Sequence, residues 1–164
     1  NRKSVLTTHK YDKDMRQIYK FLQIELQNNK QVYIVYPLIE ESKVITNNLV
    51  MPNQTNPYGH VFGGIVVSWI DLAAAMVAEK HSASQVATVH IGEVSFKAPM
   101  KVGEHVKLEA VLQSVGKTSM KIEVQVYSEN PQTGVSKLTT EANCTFVAID
   151  KQGNPVTVPG IKSK

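Results

Sequence analysis

The spacing of apolar positions changes along this chain, and each spacing predicts a different element. Met15, Ile18, Tyr19, Leu22 and Leu26 recur at helical intervals and predict an amphipathic helix over residues 14–26. Asn28-Asn29 stops it, and residues 31–38 read as a short, fully apolar strand closed by Pro37. From residue 44 a second regime begins. Residues 44–51 predict a first strand, and residues 64–80 a helix that is apolar nearly all round, as expected of a helix wrapped by other structure. Four strand-like runs follow, at 86–96, 104–115, 119–127 and 137–149. In the second run Val106, Leu108, Ala110 and Leu112 share one face. In the third, Met120, Ile122, Val124 and Val126 do. Turn-forming segments at 99–103, 116–117 and 130–134 make the strands antiparallel neighbours.

One buried helix followed by an antiparallel meander requires a sheet that curls round the helix. The expected class is α+β: a hotdog fold, with an antiparallel five-stranded sheet wrapped round a central helix and an N-terminal helix-strand extension. A five-stranded barrel plugged by the helix is the alternative. Residues 44–159 form the domain and 160–164 a tail, while residues 1–43 are too short to bury a core of their own.

Composition narrows the function. At 164 residues, 42% hydrophobic and 20% charged, the chain fits one domain plus an extension. A net charge of +4 points only weakly to a polyanionic partner. Lys97, Lys101, Lys107, Lys117 and Lys121 are scattered, which speaks against a nucleic-acid stripe. No apolar run approaches the ~20 residues of a bilayer span, and no signal-peptide pattern is present. The single cysteine, Cys144, excludes an internal disulfide and fits a reducing compartment, so a cytoplasmic location is expected. His81, His90 and His105 lack metal-ligand spacing, and no metal is expected. There is no Gly-x-Ser-x-Gly elbow for a serine hydrolase.

Against this background one stretch carries chemistry. Thr55-Asn56-Pro57-Tyr58-Gly59-His60-Val61-Phe62-Gly63-Gly64 is a turn-rich segment running straight into the apolar helix, and Asp71 is the only formal charge between Val44 and Glu79. An ionised carboxylate on an apolar helix needs partners, so Asp71 is either satisfied by neighbouring donors or kept for a reaction. The helix start at Gly63 and Gly64 offers unpaired N–H groups and a partial positive charge, suited to a developing oxyanion. Asn56 is open to two readings, as a turn former beside Pro57 or as a site residue. Gly64 and Asp71 lie two helical turns apart, roughly 10 Å, too far for one small reacting group to touch both. If both act, a second copy must bring its own helix alongside.

The same residues carry a resemblance. Met51-Pro52, Thr55-Asn56, Gly59, Phe62-Gly63-Gly64 and Asp71 resemble the acyl-CoA thioester hydrolase family of hotdog proteins, the YciA-like group. Phe96-Lys97-Ala98-Pro99-Met100-Lys101-Val102-Gly103-Glu104, Gly116-Lys117-Thr118-Ser119-Met120 and Phe146-Val147-Ala148-Ile149-Asp150 add three matches in order, so the likeness spans about residues 49–159. His60 stands where the family often has Asp or Asn. The resemblance implies hydrolysis of acyl-CoA to free acid and CoA. Asp71 would be general base or nucleophile, Asn56 would place the water or the carbonyl, and the Gly63 and Gly64 amides would polarise the thioester oxygen. It further implies self-association as a dimer or a hexamer built of dimers, and no cofactor beyond the CoA of the substrate. For CoA, Lys117, Thr118 and Ser119 with Lys97 are the candidate binding residues, with Lys101 and Lys121 as further basic candidates.

Residues 16–42, ending in Tyr36-Pro37-Leu38-Ile39-Glu40-Glu41-Ser42, resemble a piece of RecG-type DNA helicases. No Gly-x-x-x-x-Gly-Lys-Ser/Thr loop is present, so helicase activity is not expected. Two alternatives remain at this point: a non-catalytic CoA-binding or regulatory hotdog in which Asp71 is structural, and a helicase-derived fragment associated with nucleic acid.

Overall fold

The computed structural model describes residues 42–161. In chain order these form β1 (Lys43–Leu49), a short 3-10 turn (Pro52–Gln54), the helix α1 (Gly63–Ser82), β2 (Gln85–Phe96), β3 (His105–Val115), β4 (Ser119–Glu129) and β5 (Ser136–Ile149). The strands make one sheet in the order β1-β3-β4-β5-β2, every pair antiparallel. This is the hotdog arrangement expected from the alternation. The expected helix and strand at residues 14–26 and 31–38 lie outside the described residues.

The period-2 pattern decides which face meets the helix. On β4, Met120, Ile122, Val124 and Val126 are fully buried, and on β5 Ala142, Cys144, Phe146 and Ala148 are. Val106, Leu108 and Ala110 complete the lining from β3, against Val66, Ile70, Ala73, Ala74, Val77 and Ala78 of α1. Small residues at 73, 74 and 78 let the helix sit close on a curved sheet that is filled by β-branched side chains.

Two features depart from expectation. The helix is not wrapped on all sides: Gly64, Ser68, Leu72 and Met76 repeat every four residues and form one exposed stripe, with Leu72 62% exposed. Strand β2, at the sheet edge, is irregular, with register shifts between Thr88 and His90 and between Gly92 and Ser95. Glu93 takes a left-handed φ of 52° at the second shift.

The helix ends match its polarity. Its N-cap, Phe62, supplies no side-chain hydrogen bond, while the last turn carries Lys80 and His81 against the negative end of the dipole.

Candidate active site

Two groups of candidate residues flank the helix, and one chain keeps them apart. The first group gathers at its N-terminus. The segment before α1 folds into a miniature hairpin: Phe62 N–H donates to Gln54 O at 2.9 Å, Thr55 and Val61 form a bridge, and Asn56 N–H donates to His60 O at 2.8 Å. Gly59 closes the turn with φ +75°, a conformation that a side chain would strain. Within this turn the Asn56 side-chain oxygen Oδ1 accepts the N–H groups of Tyr58 (3.0 Å) and His60 (3.2 Å). Its acceptor is therefore spent on the loop, and the Nδ2 amide is the polar group left to offer. Asn56 thus shapes the turn with its Oδ1 and leaves its Nδ2 donor unused within the loop. Either a water oxygen or a carbonyl oxygen could accept from that Nδ2 group.

Beyond the hairpin, Ile65 N–H and Val66 N–H both turn back to Phe62 O, at 2.9 and 3.4 Å. The N–H groups of Gly63 and Gly64 have no hydrogen-bond partner among the described residues. A Cβ on Gly63 would meet only the Phe96 ring at 3.5 Å, an ordinary contact, so the chain's own packing does not demand glycine there. At Gly64 a Cβ would come within 2.9 Å of the Phe62 ring. A cavity of about 370 Å³ opens beside these amides, lined by Val61, Gly63, Val66, Phe96 and Met100 with His60 and Lys97 among its polar residues.

The second group lies two turns along. Asp71 is half-buried, and its Oδ1 accepts the hydroxyl of Thr88, on β2, at 2.8 Å. Its Oδ2 has no hydrogen-bond partner among the described residues. Thr88 was not singled out from sequence; its one signal is a hydroxyl two residues after Val86 on the inward face of the strand, opposite Phe146. Buried Cys144 feels the same carboxylate. Loss of water first, and the nearby negative charge of Asp71 second, push its thiol up to about 11. Cys144 thus stays a neutral thiol and serves as a core residue.

The candidate CoA residues separate as well. Lys97 borders the cavity and pairs with Glu141 in the middle of β5. Lys117, Thr118 and Ser119 form the β3–β4 turn, where Gly116 N–H meets Ser119 O at 2.8 Å. The same turn is strapped by the C-terminal segment, with Val158 N–H on Lys117 O at 3.0 Å, and tied to β5, with Ala148 N–H on Thr118 O at 3.0 Å. From Glu141 to Ala148 is seven residues of strand, about 23 Å. Lys97 and the Lys117–Ser119 turn therefore stand far apart along the sheet. Lys121 belongs to neither place: it lines a separate cavity with His90 and Asn143. No group of three or more His, Cys, Asp or Glu among the described residues could hold a metal ion.

A sheet curled round one helix, with free amides and a lone carboxylate along that helix, defines a hotdog protein of the thioesterase class, and residues 58–135 match the model of the Thioesterase superfamily. The chain is 36% identical over 122 residues to the "Uncharacterized acyl-CoA thioester hydrolase YkhA" of Bacillus subtilis (strain 168), covering 74% of this chain and 71% of that one. It is similar to a solved apo-hexameric acyl-CoA thioesterase at 43% identity and a TM-score of 0.74, covering 79% of this chain and 82% of that one. A solved acyl-CoA hydrolase from Staphylococcus aureus, in complex with butyryl coenzyme A and coenzyme A, shares 35% identity at a TM-score of 0.70 and 74% of each chain. The chain belongs to the acyl-CoA thioester hydrolase family. None of these matches supports the RecG-type resemblance, which falls on residues outside those described.

Proposed function

We propose that this protein hydrolyses acyl-CoA thioesters to the free acid and CoA, in a site assembled from the helix N-terminus of one copy and the Asp71–Thr88 pair of another. The observation that carries this reading is the pair of half-sites on α1: uncapped Gly63 and Gly64 amides at its start, and a carboxylate with one free oxygen two turns on. The substrate class rests on the family, and the S. aureus relative adds support. That enzyme has also been solved as separate alanine mutants of an asparagine, an aspartate and a threonine, spaced in its chain as Asn56, Asp71 and Thr88 are here.

In this reading the thioester oxygen sits against the Gly63 and Gly64 N–H groups and the Asn56 amide. Negative charge grows on that oxygen in the tetrahedral intermediate, where fixed donors act without reorganising. Asp71, held by Thr88, either takes a proton from the attacking water or attacks the carbonyl itself to give an anhydride that water opens. By both routes the C–S bond breaks, the CoA sulfur leaves as thiolate and gains a proton, and water supplies the new acid oxygen. The reaction balances with water alone, so the proposal includes no cofactor. Lys97 near the cavity and the Lys117–Ser119 turn are the proposed contacts for the CoA phosphates and amides. They lie too far apart in one chain to converge on one phosphate, which again favours a paired assembly. A hexamer, as in the similar solved thioesterase, is the proposed assembly. We place the protein in the cytoplasm, in keeping with its free thiol.

The test is thiol release from a panel of acyl-CoAs from acetyl to palmitoyl, with the Asp71→Ala variant as control. Wild type is expected to release CoA far faster than the variant. Equal background rates for the two would end the enzyme reading.

A further inference from the structure

We infer that Glu104 is a positioning residue for the amide half of this site, its buried carboxylate clamping Lys101, the residue that follows the cavity wall at 97–100, and, through it, the Asn56 turn. The inference rests on the acyl-CoA hydrolase reading for its kinetic readout only. Glu104 stands just before β3 at 9% exposure and is the one charged side chain buried among the described residues. Its Oε2 accepts two hydrogen bonds, from the Ser128 hydroxyl on β4 and from Lys101 N–H at 3.1 Å. Its Oε1 faces Lys137 Nζ on β5 at 4.0 Å. The turn closes in return, with Glu104 N–H on Lys101 O at 3.1 Å and Gly103 at φ +83° reversing the chain.

From Lys101 the connection runs directly to the site. Lys101 bridges His60, Val61 N–H donates to Met100 O at 2.9 Å, and His60 N–H donates to Asn56 Oδ1 at 3.2 Å. Each step is a backbone-anchored hydrogen bond, so the placement of Glu104 is carried to the asparagine without a flexible side chain between. Residues 97–100 are also the wall of the 370 Å³ cavity.

Energetics explain why such a group is informative. A buried carboxylate costs more to desolvate than an apolar residue of its size, and a well-packed apolar replacement is often as stable. What it supplies that an apolar residue cannot is a directed acceptor for a particular backbone N–H. Here that N–H belongs to Lys101, directly after the cavity wall.

The test uses the full chain with Glu104→Ala, Glu104→Gln and Ser128→Ala, read by steady-state kinetics, melting temperature and amide hydrogen exchange. Losing a hydrogen bond to a charged acceptor predicts, for Glu104→Ala, a KM for acyl-CoA about tenfold higher, with a smaller fall in kcat. Exchange should quicken at the amides of His60, Val61 and Lys101 and not across the sheet. Glu104→Gln keeps an oxygen for both bonds and should return KM and exchange most of the way to wild type. Ser128→Ala should move both in the same direction as Glu104→Ala, by less. A lower melting temperature with unchanged KM and unchanged exchange at those three amides would overturn the inference, as would a glutamine variant no better than alanine. Absence of hydrolysis in wild type would sink the functional reading alone, and exchange at the three amides would still decide the role of Glu104.

Discussion

The two half-sites along the helix, one at its N-terminus and one at its middle, are built in opposite ways. At its N-terminus the chemistry is backbone: uncapped glycine amides, a turn whose asparagine is locked by two main-chain donors, and a cavity wall tied down by Glu104. Two turns further on the chemistry is side chain: one carboxylate, steadied by a single hydroxyl from an irregular edge strand. At the amide end the turn and the cavity wall are hydrogen-bonded to each other, and the two glycine amides are left open. The carboxylate end depends on one contact and keeps an oxygen free. An oxyanion site works through preorganised dipoles, whereas a base or nucleophile needs an unshared lone pair. Each half-site therefore has the construction that its proposed part in the reaction requires.

Substitutions at the two half-sites should behave differently. The largest effect is expected at the carboxylate: Asp71→Ala should cut kcat by about 10³, within the range for loss of a positioned general base, with an unchanged far-UV spectrum because the side chain is only half-buried. Next comes Asn56→Asp, which keeps the turn's acceptor but loses the Nδ2 donor. It should cost ~10² in rate with normal exchange protection at His60. Asn56→Ala should lose that protection as well, and an Asp variant that exchanges as fast as Ala would refute the division of labour within the side chain. Thr88→Val, nearly isosteric, should lower kcat about tenfold while leaving KM within error, since it touches only the carboxylate.

A smaller effect separates stability from catalysis. Burial pushes the Glu104 carboxyl up, but the Ser128 hydroxyl, the Lys101 amide and the charges of Lys137 and Lys101 together outweigh it and hold the group below its ordinary value. A carboxyl depressed in the folded state stabilises the fold above its unfolded pKa, here 4.5, and loses that contribution as pH falls through the lower folded value. Glu104→Gln should therefore melt below wild type at neutral pH, where the ionised carboxylate contributes, and the two profiles should converge as pH falls below about 4.5, flattening the acid limb of the variant.

Much of this was legible in the residues and some was not. The alternation of Met120, Ile122, Val124 and Val126 assigns a strand and its inward face without ambiguity, and the structure buries all four. Phe62-Gly63-Gly64 before an apolar run marks a helix start, and Asp71 is conspicuous as a lone charge. The open stripe of Leu72 and Met76 was hidden because a helix apolar on every side does not reveal which side lacks a neighbour. Thr88 was hidden for a different reason. Its partnership with Asp71 spans 17 residues and is created by packing of the helix against β2, and a single threonine in a β-branched run carries no mark of that. Glu104 sat within a quoted motif, but its burial follows from Ser128 and Lys101, which only the folded chain brings to it.

The central claim is that the two half-sites meet only between copies, and mixing the Asn56→Asp and Asp71→Ala chains tests it most directly. In a symmetric pair each mixed dimer restores one intact site, so random mixing after refolding together should recover about a quarter of wild-type activity from two nearly inactive parents. Verified mixed dimers with no more activity than the parents would show that each chain works alone, and would contradict the account.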